Sequence, residues 1–140
     1  MISLRTHRWS LSLAAEFGHA DITAELEELV RASDVRNGTL TVQLVGSTGA
    51  VTTIEYEAGA LEDLRRALDT IAPTDAEYDH NARWGDGNGF SHVRSALLKT
   101  SISLPVVDGE LMLGTWQQVV AINLDNRPRH RELVAVLVGT

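Results

Sequence analysis

The sequence contains no cysteine, which excludes disulfide bonds and metal sites built from thiolates. It also lacks any apolar run long enough for a signal peptide or a membrane-spanning helix. The first eight residues instead carry Arg5, His7 and Arg8. We therefore expect a cytoplasmic protein without a membrane partner.

Positive charge is also scarce, since 12 Lys and Arg face 19 Asp and Glu and give a formal net charge of −7. Nucleic-acid binding is not expected, because phosphate contacts by basic residues dominate that affinity. The one dense basic stretch holds Arg127, Arg129 and Arg131 around His130. It is either a solvated turn or a binding element for a small anionic ligand.

The length of 140 residues, of which 44% are apolar, predicts one domain over residues 1–140. Alternating apolar residues predict strands over 6–13, 40–44, 51–56, 102–106 and 120–124, and the continuously apolar run 133–138 predicts a strand buried on both faces. Helical spacing predicts helices over 22–30 and 61–71 and a short one from Ser91. The Gly-rich turn at 46–49 and the Asp108-Gly109 pair predict hairpins, so we expect an α+β fold with a mostly antiparallel sheet covered by a few helices.

The segment "YDHNARWGDGNGFSHVRS" (78–95) is the first candidate site. Its glycines would let the loop fold back and bring His80 and His92 together, with Asp86 and Asn88 able to orient the imidazoles. Imidazole is both a common metal ligand and a proton shuttle. A metal site and a loop whose histidines only form hydrogen bonds both remain open.

Two shorter motifs are weaker candidates. In "GSTGA" (46–50) the glycines and hydroxyls, including Thr48, either form a plain turn or present backbone amides to an anion. In "GTWQQ" (114–118) Trp116 and Gln117 either pack into the core or form a platform for a ligand.

Taken together and in this order, these motifs resemble the YjbQ-like family. The resemblance runs from "FGHADIT" (17–23) through "YDHN", "GDGNGFSHVRSALL" and "SISLPVVDGELMLGTWQ" to "DNRPRHRELVAVLVG". Members of this family are regarded as secondary thiamine-phosphate synthases or have no assigned function.

The resemblance implies an α+β fold, a homotrimer with sites near the subunit boundaries, and a divalent metal such as zinc or magnesium held by three histidines. His80 and His92 match the second and third histidines, whereas Ser47 stands at the position of the first. "EYE" (55–57) replaces the family's Asn-Glu-Asn. A serine hydroxyl is a poor ligand for a transition metal, so Glu55, Glu57 or a neighbouring subunit would have to compensate.

The resemblance also implies a small phosphorylated ligand and a displacement of pyrophosphate. We expect His92 or Asp86 to transfer protons. The expected ligand-binding residues are Thr48, Asn88, Arg94, Ser95, Trp116, Gln117 and Arg127. Two alternatives stay open: a non-catalytic trimeric binding or scaffold protein, and a metal-dependent phosphoester enzyme of other specificity.

Overall fold

The computed structural model describes residues 1–140 and contains eight strands and four helices. In chain order these are β1 (Ser3–Leu13), β2 (Gly18–Asp21), α1 (Thr23–Ala32), β3 (Gly38–Val45), β4 (Gly49–Ile54), α2 (Ala58–Ile71), α3 (Asp79–Trp84), α4 (Gly89–Leu98), β5 (Ser101–Val107), β6 (Glu110–Leu111), β7 (Gln118–Asn123) and β8 (Arg129–Gly139). None of the helices is long and apolar enough to cross a membrane.

The strands form two antiparallel sheets. A five-stranded sheet has the order β1-β8-β3-β5-β6, and a three-stranded sheet has the order β2-β7-β4. The long strands β1 and β8 pair from Ser3 opposite Gly139 to Leu13 opposite Arg129. The expected α+β class with antiparallel pairing is confirmed.

The two sheets and the helices stack in layers. Leu133, Ala135 and Leu137 of β8 are fully buried and belong to one apolar core with Val119 and Ala121 of β7. The opposite face of the three-stranded sheet packs on helix α2 through a second core that includes Val120, Ile122 and Leu68. The three-stranded sheet is therefore the middle layer.

The predicted burial of residues 133–138 on both faces is wrong. Val134 and Val136 are only half-buried and Val138 is 40% exposed, because nothing in the chain covers the outer face of the five-stranded sheet. The strand that is buried on both faces is β7, where every residue from Val119 to Asn123 is buried. Its position in the middle layer explains this burial.

The predicted hairpin between residues 40–44 and 51–56 is also wrong. Strand β3 pairs with β5 and β8, whereas β4 pairs with β7 in the other sheet. Gly46, with φ at 146°, starts the loop that carries the chain from one sheet to the other. The Asp108-Gly109 hairpin is confirmed: both residues have positive φ, and Val107 pairs with Glu110.

Candidate functional site

Helices α3 and α4 bring the two predicted histidines into contact. Helix α3 ends at Trp84, and the following Gly85 forms a left-handed cap with a φ of 66° and an N–H that donates to the carbonyl of Asn81. The chain then turns through Gly87 into α4. As a result the rings of His80 and His92 lie 4.4 Å apart between centroids, with 38° between their planes.

Asp86 lies beside this pair. Its Oδ1 is 3.3 Å from Nδ1 of His80 and accepts a hydrogen bond of 3.1 Å from the backbone N–H of Asn88. Nδ1 of His80 is buried and makes no hydrogen bond of good geometry. Nδ1 of His80 therefore lies next to the carboxylate of Asp86 without forming a well-aligned hydrogen bond to it.

Hydrogen bonds fix the histidine loop to the turn between β7 and β8. The Oδ1 of Asn88 accepts bonds from the hydroxyl of Ser91 (2.7 Å) and from the N–H of Asn126 (3.1 Å). Asn126 in turn donates through its side-chain amide to the carbonyl of Asp86 at 2.9 Å. Asn88 is buried, so its side chain holds the loop in place.

An open pocket of about 400 Å³ lies beside His92. Its lining combines the β3–β4 loop with α4 and the residues that follow it: Gly46, Ser47, His92, Ser95, Ala96, Lys99 and Thr100. Ser47 thus shares a pocket with His92. Ser95 also reaches it, but its hydroxyl donates to the carbonyl of Gly49 at 2.6 Å.

A buried polar network that the sequence did not predict lies under the β3–β4 loop. Thr48 donates to Oδ2 of Asp125 at 2.9 Å and accepts from Nη2 of Arg131 at 2.6 Å. The same Nη2 also donates to Oδ1 of Asn123 at 2.7 Å, and Nε of Arg129 donates to Asp125 at 3.0 Å. Thr48, expected to bind a ligand, is therefore engaged in this network.

The network shifts the pKa of two of its charged groups, Asp125 and Arg131. Burial opposes ionisation of Asp125, but hydrogen bonds from Thr48, Arg129 and Asn88 outweigh it and hold the pKa of Asp125 below its ordinary value. Burial and the like charge of Arg129 lower the pKa of Arg131, while the charge of Asp125 acts in the opposite direction. One signal for Arg131 was present in the sequence, since it alternates in phase with the buried Leu133.

Arg94, expected to bind phosphate, faces the core. Its side chain is 2% exposed, with Nε donating to the carbonyl of Ala72 and Nη2 donating to Asp69, both at 2.9 Å. The guanidinium therefore ties α4 to the end of α2 and does not line the pocket beside His92. Arg127 is exposed, and its hydrogen bonds are made by its backbone.

Trp116 and Gln117 lie at the other end of the three-stranded sheet. Gly49 pairs with Asn123 at the histidine end and Ile54 pairs with Gln118 at the far end, a separation of roughly 17 Å along the strand. Trp116 is 74% exposed, and Gln117 accepts from the N–H of Gly114. A single chain does not bring these residues to the histidines.

The donors present in the chain do not fit the metal that the resemblance implies. No group of three or more His, Asp or Glu side chains is placed to hold a metal ion. Ser47 supplies no imidazole, and the carboxylate of Glu57 accepts from the N–H groups of Gly59 and Ala60 at the start of α2. Two histidines and one carboxylate remain near the pocket.

Fold and site define a small two-sheet α+β protein with a histidine pair beside a polar pocket. A family model described as "UPF0047 protein YjbQ-like" matches residues 7–140 of the chain. A UPF0047 protein of Methanothermobacter thermautotrophicus is 39% identical over 119 residues, which are 85% of this chain and 81% of that protein. The chain therefore belongs to the UPF0047 (YjbQ-like) family.

Solved structures of similar proteins share this fold. A YbjQ-like protein of unknown function from Sulfolobus solfataricus superimposes with a TM-score of 0.93 at 26% identity, and all of both chains is covered. An uncharacterized protein of the yjbq/upf0047 family from Clostridium acetobutylicum gives a TM-score of 0.84 at 26% identity, covering 94% of this chain and 98% of that one. These relatives establish family and fold and carry no assigned reaction.

Proposed function

We propose that the protein is a transferase of thiamine-phosphate synthase type, acting on small phosphorylated ligands at the pocket beside the histidine pair. The observation that supports this most is the contact of His80 and His92 at 4.4 Å, with His92 opening into a pocket of about 400 Å³. Pockets of this size take ligands of a few rings. The proposal rests on the site together with the family resemblance.

In the proposed reaction the thiazole nitrogen attacks the methylene carbon of the hydroxymethylpyrimidine carrier. A C–N bond forms, the C–O bond to pyrophosphate breaks, and the electron pair leaves with the pyrophosphate oxygen. His92 donates a proton to the departing pyrophosphate, because it is the histidine that lines the pocket. His80 packs against it and Asp86 stands 3.3 Å from His80, so these two are positioning residues.

A homotrimer is part of the proposal. The outer face of the five-stranded sheet carries half-buried or exposed valines, threonines and serines, among them Val136, Val138, Thr41 and Ser103. A face of this kind suits contact with another copy of the chain. In such a trimer a neighbour would bring Trp116 and Gln117 to the pocket. The proposed reaction is compatible with a cytoplasmic location.

Formation of thiamine phosphate tests the proposal. Purified protein is incubated with hydroxymethylpyrimidine pyrophosphate and thiazole phosphate, with and without zinc or magnesium, and product is measured by chromatography. We expect thiamine phosphate from the wild type and a loss of at least 100-fold in kcat for His92→Ala, in the range of lost general acid–base catalysis. His130→Ala is the matched control, because His130 is exposed and bonds only to Ser12.

A non-catalytic binding protein is the second candidate, and Ser47 at the place of the first histidine favours it. Under this reading both substrates bind, binding weakens in His92→Ala, and no product forms under any metal condition. Hydrolysis of other phosphoesters by the wild type, lost in His92→Ala, would instead point to the enzyme of other specificity.

A further inference from the structure

Lys99 is the one cationic side chain of the pocket beside His92. It follows α4 directly and shares the pocket lining with Ser47 and Thr100. It is also the only lysine among the 140 residues. The chain therefore places its single lysine side chain at the candidate site.

The backbone of Lys99 is strained. Its φ of 77° and ψ of 154° lie in a region that glycine adopts readily and side-chain-bearing residues avoid. Neighbouring strands hold the conformation: the N–H of Val51 donates to the carbonyl of Lys99 at 3.1 Å, and the N–H of Leu44 donates to Thr100 at 2.8 Å. Since glycine would fit without strain, packing does not account for a lysine here.

The charge of Lys99 is not neutralised within the chain. None of the ten ion pairs includes it, and no acidic residue lines the pocket. The Ser47 side chain adds a hydroxyl donor. The backbone N–H groups of Gly46, Ser47 and Thr48 make no hydrogen bonds in the structure, so further donors are free in the same loop.

We propose that Lys99 anchors a phosphoryl or diphosphoryl group in this pocket and supplies the positive charge that a metal would otherwise supply. The resemblance implies a metal-ligating histidine at the position of Ser47, and Ser47 and Lys99 line the same pocket. An ammonium group with neighbouring hydroxyls and amides neutralises and orients an oxyanion without a divalent ion. The inference deepens the proposed function, but binding of the anion does not require the reaction.

The single lysine allows a direct test. Reductive methylation with ¹³C-formaldehyde labels Lys99 and the terminal amine, giving one dimethyl-lysine NMR signal. Metal-free, chelator-treated protein is titrated with pyrophosphate and inorganic phosphate at constant ionic strength. We expect the Lys99 signal to shift and saturate, and calorimetry on unlabelled protein to give at least tenfold weaker pyrophosphate binding in Lys99→Gln than in the wild type.

Three further variants separate anchoring from folding. Lys99→Arg should keep most of the binding. Lys99→Gly should lose it while melting at a higher temperature than wild type, since the strain is relieved. Arg66→Gln removes an exposed cation on α2 and should bind as wild type does.

Equal pyrophosphate affinity in wild type and Lys99→Gln would overturn the proposal. So would binding that appears only after a divalent metal is added. If pyrophosphate binds through Lys99 and no thiamine phosphate forms, the anion site stands and the proposed reaction fails. If product forms equally well in Lys99→Gln, the reaction stands and the anchor fails.

Discussion

The two ends of the three-stranded sheet are built differently. At the histidine end the polar side chains of Thr48, Asn123, Asp125 and Arg131 are buried and bonded to one another. At the other end Trp116 is 74% exposed. The first end is held together by hydrogen bonds among its own side chains, whereas at the second end Trp116 faces solvent, and we predict that a partner covers it.

The histidine end also combines rigidity with strain. The network holds the β3–β4 loop to β7 and β8, and the bonds of Asn88 hold the histidine loop to the same turn. Lys99 keeps an unfavourable backbone conformation against this frame. A strained residue persists only where its surroundings fix it, and such positions gather at functional sites.

Among the variants that test this difference, Arg131→Met should have the largest effect on stability. The change leaves Asn123 and Thr48 without their buried donor, so we expect a loss of roughly 3 kcal/mol in the free energy of unfolding. Urea denaturation followed by circular dichroism measures it. The pyrophosphate affinity should fall too, because the loop that carries Ser47 loses its support.

Arg127→Ala is the control for that experiment, since Arg127 is exposed and only its backbone forms hydrogen bonds. Its unfolding free energy should change by less than about 0.5 kcal/mol. Equal losses in the two variants would show that the network is not what stabilises the histidine end.

Asp125→Asn should have an intermediate effect that depends on pH. The pKa of Asp125 is held below its ordinary value in the folded protein, so the ionised group stabilises the fold at neutral pH. That contribution is lost as the pH falls below about 4 toward the lowered folded pKa. We expect a loss of roughly 1–2 kcal/mol at pH 7 that shrinks in acid.

Thermal melts of both proteins between pH 7 and pH 3 make the measurement. The wild type should lose more stability over this range than Asp125→Asn does. A difference in stability between wild type and Asp125→Asn that stays constant with pH would mean that Asp125 contributes through its shape and not through its charge.

The contact of His80 and His92 could be foreseen from the sequence because glycines at 85 and 87 permit a tight reversal, and the structure uses both with positive φ. The role of Arg94 could not. Its acidic partner Asp69 lies 25 residues earlier, on a helix whose placement depends on the second core. Local patterns likewise predicted most of the strands but not the sheet to which each strand belongs, because alternation of apolar residues does not encode which strands pair with each other.

Trp116→Ala should have the smallest effect on a single chain and tests the open end. Because the side chain is 74% exposed, the unfolding free energy at low protein concentration should change by less than about 0.5 kcal/mol.

If a neighbour covers the end of the sheet that carries Trp116, the Trp116→Ala variant should dissociate at higher protein concentration than wild type, since buried aromatic side chains dominate interfaces. Light scattering after size-exclusion chromatography over a dilution series measures the shift. Trp84→Ala is the matched control, because Trp84 is exposed to a similar extent (67%) on α3 and does not line the pocket beside His92. A monomeric wild type at all concentrations, or equal shifts in both variants, would remove the distinction between the two ends.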